Sequence, residues 1–111
     1  MNLAEISVHE AMEWIKNHGA LLVDVREVDE VSALGYDVVH QMHIPLSVFE
    51  SRFQEIPKDK KVIMACRSGA RSMRATAFMV QNGWDSEEVV NLNGGMMAWS
   101  QSNFPVKGTQ S

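Results

Sequence analysis

Three short runs of the chain are almost continuously apolar: Ala20-Leu21-Leu22-Val23-Asp24-Val25, Lys61-Val62-Ile63-Met64-Ala65 and Val89-Val90-Asn91-Leu92. Runs of this length and density suit strands covered on both faces. The stretches between them repeat at helical spacing. Ser7-Val8-His9-Glu10 reads as a capping box that opens a helix. Ala11, Met12 and Ile15 share one face of that helix, and Gly19 stops it. From Arg26 to Leu34 the chain is charged, with Val28 and Val31 one helical turn apart, which predicts a short helix ending near Gly35. Residues 36–46 carry little pattern. Val38-Val39 is the candidate strand there, and Pro45 ends any helix that reaches it. Ser47-Val48-Phe49-Glu50 reads as a second capping box, opening a brief helix to about Gln54. Pro57 to Lys60 is a polar turn. Met73, Ala77 and Val80 mark a helix that Gly83 stops, and Asn93-Gly94-Gly95 turns the chain into a last short helix from Met96 to Ser100. The tail after Asn103 is polar and is expected to fray.

Helices alternating with apolar strands imply an α/β fold of three layers: a mainly parallel sheet with helices on both faces. No internal repeat, low-complexity block or linker divides residues 1–111, so one domain is expected. The apolar share of 45% is enough to build a core without disulfides or a structural metal.

Charge narrows the function classes. The formal net charge is −4, which argues against a general nucleic-acid or anionic-membrane binder. The N-terminal stretch has neither a basic segment nor a long apolar run, so neither a signal peptide nor a membrane span is expected. The single cysteine cannot form an internal disulfide, and the cytoplasm is the expected compartment.

That cysteine, Cys66, carries the chemistry. It lies at the end of the second core strand, where a helix begins and where sites of such sheets sit. The loop runs Cys66-Arg67-Ser68-Gly69-Ala70-Arg71-Ser72. Gly69, between the small residues Ser68 and Ala70, lets backbone N–H groups turn inward as an anion nest. Arg67 and Arg71 add two guanidinium groups, with Arg74 a turn further on and read as a surface residue. Helix N-terminus, nest and cations all favour thiolate over thiol. A buried, inert cysteine is the bland alternative.

These residues, with two further motifs, resemble the rhodanese-like family. Asp24-Val25-Arg26-Glu27 is similar to the family's motif after an early strand, residues 66–72 to its active-site loop, and Leu92-Asn93-Gly94-Gly95-Met96-Met97-Ala98-Trp99 to its C-terminal signature. The resemblance runs from about residue 3 to residue 105. It implies a sheet of about five strands, with Cys66 as a persulfide-bearing nucleophile. It implies that the backbone of Arg67, Ser68, Gly69, Ala70 and Arg71 cradles the sulfur, and that Asp24, Arg26 and Ser72 support the site. Gly94, Gly95 and Trp99 would pack behind the loop. The segment from Gly35 to Ser47 departs from the Gly-His-Ile-Pro-Gly-Ala pattern of many members, although Ile44-Pro45-Leu46 resembles a later family segment.

The expected activity is a sulfurtransferase. Cys66 would take a sulfane sulfur from a small anionic donor such as thiosulfate and pass it to a thiol, cyanide or a protein acceptor. Covalent chemistry of this kind needs no cofactor, no metal and no partner histidine. A persulfide carrier or sensor serving a partner protein uses the same cysteine and stays open. A cysteine phosphatase fits less well, because four residues separate Cys66 from Arg71 where those enzymes have five. His40-x-x-His43 has no accompanying ligand cluster and reads as solvated. The eight methionines read as core filler, and Trp14, Trp84 and Trp99 as packing anchors rather than a base-stacking platform.

Overall fold

The computed structural model describes residues 3–108. Residues 109–111, the end of the expected tail, lie outside the described residues, as do residues 1–2. Five parallel strands form the main sheet: β1 (Ala4–Ile6), β2 (Leu21–Asp24), β4 (Gln41–His43), β5 (Val62–Ala65) and β6 (Val89–Leu92), in the order β1-β6-β5-β2-β4. A second, two-stranded sheet pairs β3 (Gly35–Tyr36) antiparallel to β7 (Val106–Lys107). The helices are α1 (Val8–His18), α2 (Val28–Ala33), α3 (Phe49–Arg52), α4 (Ala70–Gln81) and α5 (Gly95–Gln101).

The three central strands are the three apolar runs, and every residue of β2, β5 and β6 is buried. Alternate side chains feed opposite layers, as strand geometry requires. Val62 and Met64 join Phe49, Phe53, Ala75 and Met79 under α3 and α4. Ile63 and Ala65 join Ala11, Met96 and Trp99 under α1 and α5. The sheet is thus sandwiched, as the alternation predicts. Cys66 continues the first of these alternations and lies on the α4 side.

Local chemistry sets the helix ends. At α1 the Ser7 hydroxyl accepts from the Glu10 N–H at 3.1 Å and the Glu10 carboxylate accepts from the Ser7 N–H at 3.2 Å, so the capping box is present. Gly19 closes α1 in the left-handed region at φ 62°. Four expectations need correction. Ser47 caps no helix: its hydroxyl donates to Glu27 Oε1 at 2.9 Å, and α3 starts two residues later without a side-chain cap. The strand in the segment 36–46 is Gln41–His43, not Val38-Val39, and Val39 is 87% exposed. The inward face of α4 is Ser72, Ala75, Thr76 and Met79, while Met73, Ala77 and Val80 are only half-buried. The chain after Asn103 is engaged as far as Lys107: Phe104 meets Trp99 edge-on at 5.1 Å, and Val106 pairs with Tyr36.

Just past β2 the fold buries a charge pair. Asp24 and Arg26 are 1% and 3% exposed. Arg26 Nη2 donates to Asp24 Oδ2 at 2.7 Å, Nε donates to Oδ1 at 3.0 Å, and the Arg26 N–H reaches the same Oδ1 at 3.1 Å. Burial works against the guanidinium charge, but the bonds to Asp24 outweigh it and hold the arginine's pKa above its ordinary value. Removing one partner leaves a buried charge uncompensated. Asp24→Ala is therefore expected to lower the stability measured by urea unfolding by about 3–5 kcal/mol.

Candidate active site

Strand β5 delivers Cys66 to the start of α4, and the intervening loop wraps the sulfur. The side chain is buried: Cys66 is 1% exposed. Yet it is not simply core packing. The Gly69 N–H points at Sγ at 3.1 Å, the Ser72 N–H at 3.4 Å, and the Ser72 hydroxyl lies 3.3 Å away. Burial pushes the thiol pKa up. Hydrogen bonds from Ser72, through its hydroxyl and its N–H, and from the N–H groups of Gly69 and Ser68 outweigh burial and hold it below the ordinary thiol value.

The peptide planes are turned by what holds their other ends. The Cys66 carbonyl accepts from the Met96 N–H at 2.9 Å and from the Tyr36 hydroxyl at 2.7 Å. The Arg67 carbonyl accepts from the Met97 N–H at 3.0 Å. These N–H groups belong to the first turn of α5, which lacks intrahelical acceptors for them. The Arg67 carbonyl shares its peptide plane with the Ser68 N–H, so drawing that carbonyl toward α5 turns the Ser68 N–H to the side of the sulfur. Close approach makes this possible. A Cβ on Gly95 would stand 2.6 Å from the Cys66 oxygen and 2.7 Å from the Arg67 carbonyl. Gly69 adopts φ 105° and rests against β6, where a Cβ would meet the Gly94 nitrogen and the Leu92 oxygen at 3.4 Å.

Tyr36 is itself held. It is buried, Trp99 meets it edge-on at 5.3 Å, and the Arg26 guanidinium carbon lies 5.4 Å from its ring centre. Burial, above all, holds its phenol pKa well above the ordinary value, so the group is a donor. Asp24 and Arg26 therefore connect to Cys66 through Tyr36.

The two loop arginines part company. Arg67 is exposed and lines an open groove of about 270 Å³ with Arg26, Glu30, Met96 and Met97. Arg71 is engaged by Glu30 of α2 in a two-pronged pair, at 2.8 and 2.7 Å. Hydrogen bonding from Arg71 is the main cause that holds the Glu30 carboxyl at about 2. Ser68 and Ala70 are exposed on the loop, and Arg74 is exposed on α4. His43 Nε2 is 2.7 Å from the Arg26 carbonyl oxygen, a contact within the fold, and His40 is exposed. Gly95 and Trp99 pack behind the loop and behind Tyr36 respectively.

Sequence reasoning did not find Tyr36, Glu30 or Asn91. Asn91 is buried in β6, and its Oδ1 lies 2.5 Å from the Ser72 hydroxyl. A lone polar residue inside Val89-Val90-Asn91-Leu92 is a signal for it. Tyr36 and Glu30 have none, since they reach the loop across 30 and 41 residues.

Comparison with known proteins shows the family and the fold. The family profile that matches is the rhodanese-like domain, over residues 7–102. A sulfurtransferase of Allochromatium vinosum is 41% identical over 86 residues, 78% of this chain and 77% of the relative. A thiosulfate sulfurtransferase of Actinobacillus pleuropneumoniae is 30% identical over 106 residues, 93% of this chain and 92% of the relative. The crystal structure of a rhodanese-related protein from Thermoplasma volcanium superposes with a TM-score of 0.81 at 28% identity, covering 94% of this chain and 97% of the other.

Two outcomes are expected of the site. Gly95→Ala forces a Cβ into the Cys66 and Arg67 backbone at a positive φ. It should rotate the loop's amides away from the sulfur and move the pH midpoint of Cys66 alkylation up toward that of a free thiol. Second, the Glu30 carboxyl, lowered from 4.5 to about 2 in the folded chain, adds stability that is complete above about pH 4.5. That stability is lost as pH falls from there through about 2. Wild type should exceed Glu30→Gln in stability at neutral pH, and the gap should close across that window in acid titrations followed by circular dichroism.

Proposed function

Because the chain belongs to the rhodanese-like domain family, we propose that it transfers a sulfane sulfur through a persulfide on Cys66, from an anionic donor such as thiosulfate to a thiophilic acceptor. The observation that carries this reading is the buried Cys66 sulfur facing the N–H groups of Gly69 and Ser72 at 3.1 and 3.4 Å. A thiolate needs donors and has no proton to give, and the loop presents donors.

In the first step the Cys66 thiolate attacks the outer sulfur of thiosulfate. The new S–S bond forms as the donor's own S–S bond breaks, and sulfite leaves with the electron pair. Cys66 then holds a persulfide. In the second step an acceptor thiolate or cyanide attacks the terminal sulfur, and Cys66 departs as a thiolate. The N–H groups of Ser68, Gly69 and Ser72 already face the sulfur and hold its charge, and the rest of the 67–71 backbone completes the cradle around the added sulfur.

Arg67 is the cation for the donor's oxyanion end, since it is exposed and has no carboxylate partner within 4.0 Å among the described residues. Arg71 contributes less than the sequence suggests, because a donor must compete with Glu30 for its guanidinium. Asp24, Arg26 and Ser72 act as supports: the first two through Tyr36, the third directly at the sulfur. Repeated turnover with a small acceptor distinguishes an enzyme from a carrier that loads once.

Incubation with thiosulfate should add one sulfur atom to the intact mass of wild type and none to Cys66→Ser. An unchanged wild-type mass, or equal addition to the serine variant, removes this mechanism. Arg67→Ala should raise the KM for thiosulfate by about tenfold or more, the loss of one charged hydrogen bond.

A further inference from the structure

Asn91 is fully buried in the middle of β6, and the sulfur-transfer steps above make no use of it. Both hydrogens of its amide are committed. Nδ2 donates to the Gly69 carbonyl at 3.0 Å and to Glu5 Oε2 at 2.9 Å. A carbonyl and a carboxylate only accept, so together they fix the orientation of the amide and leave Oδ1 facing Ser72. The Ser72 hydroxyl has one proton and three acceptors in reach: Asn91 Oδ1 at 2.5 Å, Cys66 Sγ at 3.3 Å and the Gly69 oxygen at 3.3 Å. At the shortest of these contacts the proton must lie between the two oxygens, otherwise lone pair would face lone pair. The Ser72 lone pairs then face Sγ, which suits a sulfur that still bears hydrogen. An anionic sulfur has the opposite need.

We infer that Asn91 is a positioning residue that acts on Cys66 through Ser72: its carbonyl takes the hydroxyl proton while Cys66 is a thiol or carries sulfur, and yields it to Sγ when the sulfur is a thiolate. The persulfide half of this cycle rests on the sulfur-transfer reading; the thiol half does not. No bond to hydrogen in Ser72 breaks, since the hydroxyl only rotates about Cβ–Oγ. The thiol proton itself goes to solvent. When a persulfide forms, the negative charge moves to the terminal sulfur, Sγ becomes neutral, and the hydroxyl returns to Asn91. Asn91 thus competes with the thiolate for one donor. That competition keeps the sulfur more basic than an uncontested hydroxyl would, and a more basic thiolate is the stronger nucleophile.

The other charged or titratable groups around the site are Arg67 on the loop, Arg71 on α4, Glu30 on α2, the Asp24–Arg26 pair after β2, Tyr36 on β3 and Glu5 on β1. Of these only Glu5 touches position 72 or 91: Asn91→Ala removes its bond from Nδ2, and does so equally with or without the Ser72 hydroxyl.

The test is a double-mutant cycle read by the pH midpoint of Cys66 alkylation with iodoacetamide. Asn91→Ala should lower the midpoint by about 0.5–1 unit, the worth of one neutral hydrogen bond. In a Ser72→Ala background the same substitution should leave it unmoved. Asn91→Ala also removes a donor from the Gly69 carbonyl, which the Ser72 hydroxyl reaches only at 3.3 Å; whatever part of that effect bypasses the hydroxyl appears in both backgrounds and cancels in the cycle. An unchanged or raised midpoint, or an equal shift in both backgrounds, overturns the inference. Should Asn91→Ala not fold, the infrared S–H stretch of the reduced protein decides, because its single cysteine makes the band Cys66's alone. The band should lie low in wild type and rise in Ser72→Ala; identical bands overturn the inference. Thiosulfate loading measured in parallel separates the two claims. Lost loading with the cycle intact removes sulfur transfer and keeps Asn91, and the reverse removes Asn91 alone.

Discussion

The orientation of the peptide planes after Cys66 governs everything else at this site. A peptide unit has two polar ends, and fixing one direction fixes the other. The carbonyls of Cys66 and Arg67 are bound by the first-turn N–H groups of α5 and, for Cys66, by the Tyr36 hydroxyl as well. The Ser68 N–H is therefore held from behind, while the loop and the first turn of α4 add the N–H groups of Gly69 and Ser72. The electropositive pocket does not depend on the arginines alone, and one of them is already committed to Glu30.

This arrangement explains where the chain spends its costly features. A buried ion pair is rarely a net source of stability. Here the Asp24–Arg26 pair lies against the Tyr36 ring, and Tyr36 hands a hydrogen bond to Cys66. Gly95 gives up a side chain so that α5 can approach the loop, and Gly69 accepts a left-handed backbone so that the loop can close. Asn91 places an amide inside an apolar strand and satisfies every polar atom of it. Each of these departures from simple core packing connects, directly or through its neighbours, to Cys66 or its loop.

Those departures also decide what was legible in the sequence. The strands β2, β5 and β6 were legible because both faces are covered and their residues run apolar without interruption. Helix α1 announced itself through Ser7, Glu10 and Gly19, which act locally. Cys66 and its loop were legible because cysteine, glycine and arginine stand adjacent. The edge strands were not, since Gln41–His43 and Ala4–Ile6 are covered incompletely and carry polar side chains. The phase of α4 slipped because Ser72 and Thr76 face inward with their hydroxyls satisfied, a thing no hydrophobic pattern records. Ser47 had the composition of a cap but found Glu27, a partner from a distant part of the chain. Tyr36 and Glu30 belong to the site only because the sheet order brings them there.

The small sheet of Gly35–Tyr36 and Val106–Lys107 gives the C-terminal segment a mechanical connection to the Cys66 backbone. Val106 is paired with Tyr36, Pro105 accepts hydrogen bonds from the Trp99 indole and the Asp37 N–H, and the Tyr36 hydroxyl ends on the Cys66 carbonyl. Tension along the backbone at Lys107 is thus felt at Tyr36 before it reaches any core strand. A load applied at that end has a short lever on the Cys66 carbonyl, with one ladder and one phenolic hydrogen bond between them.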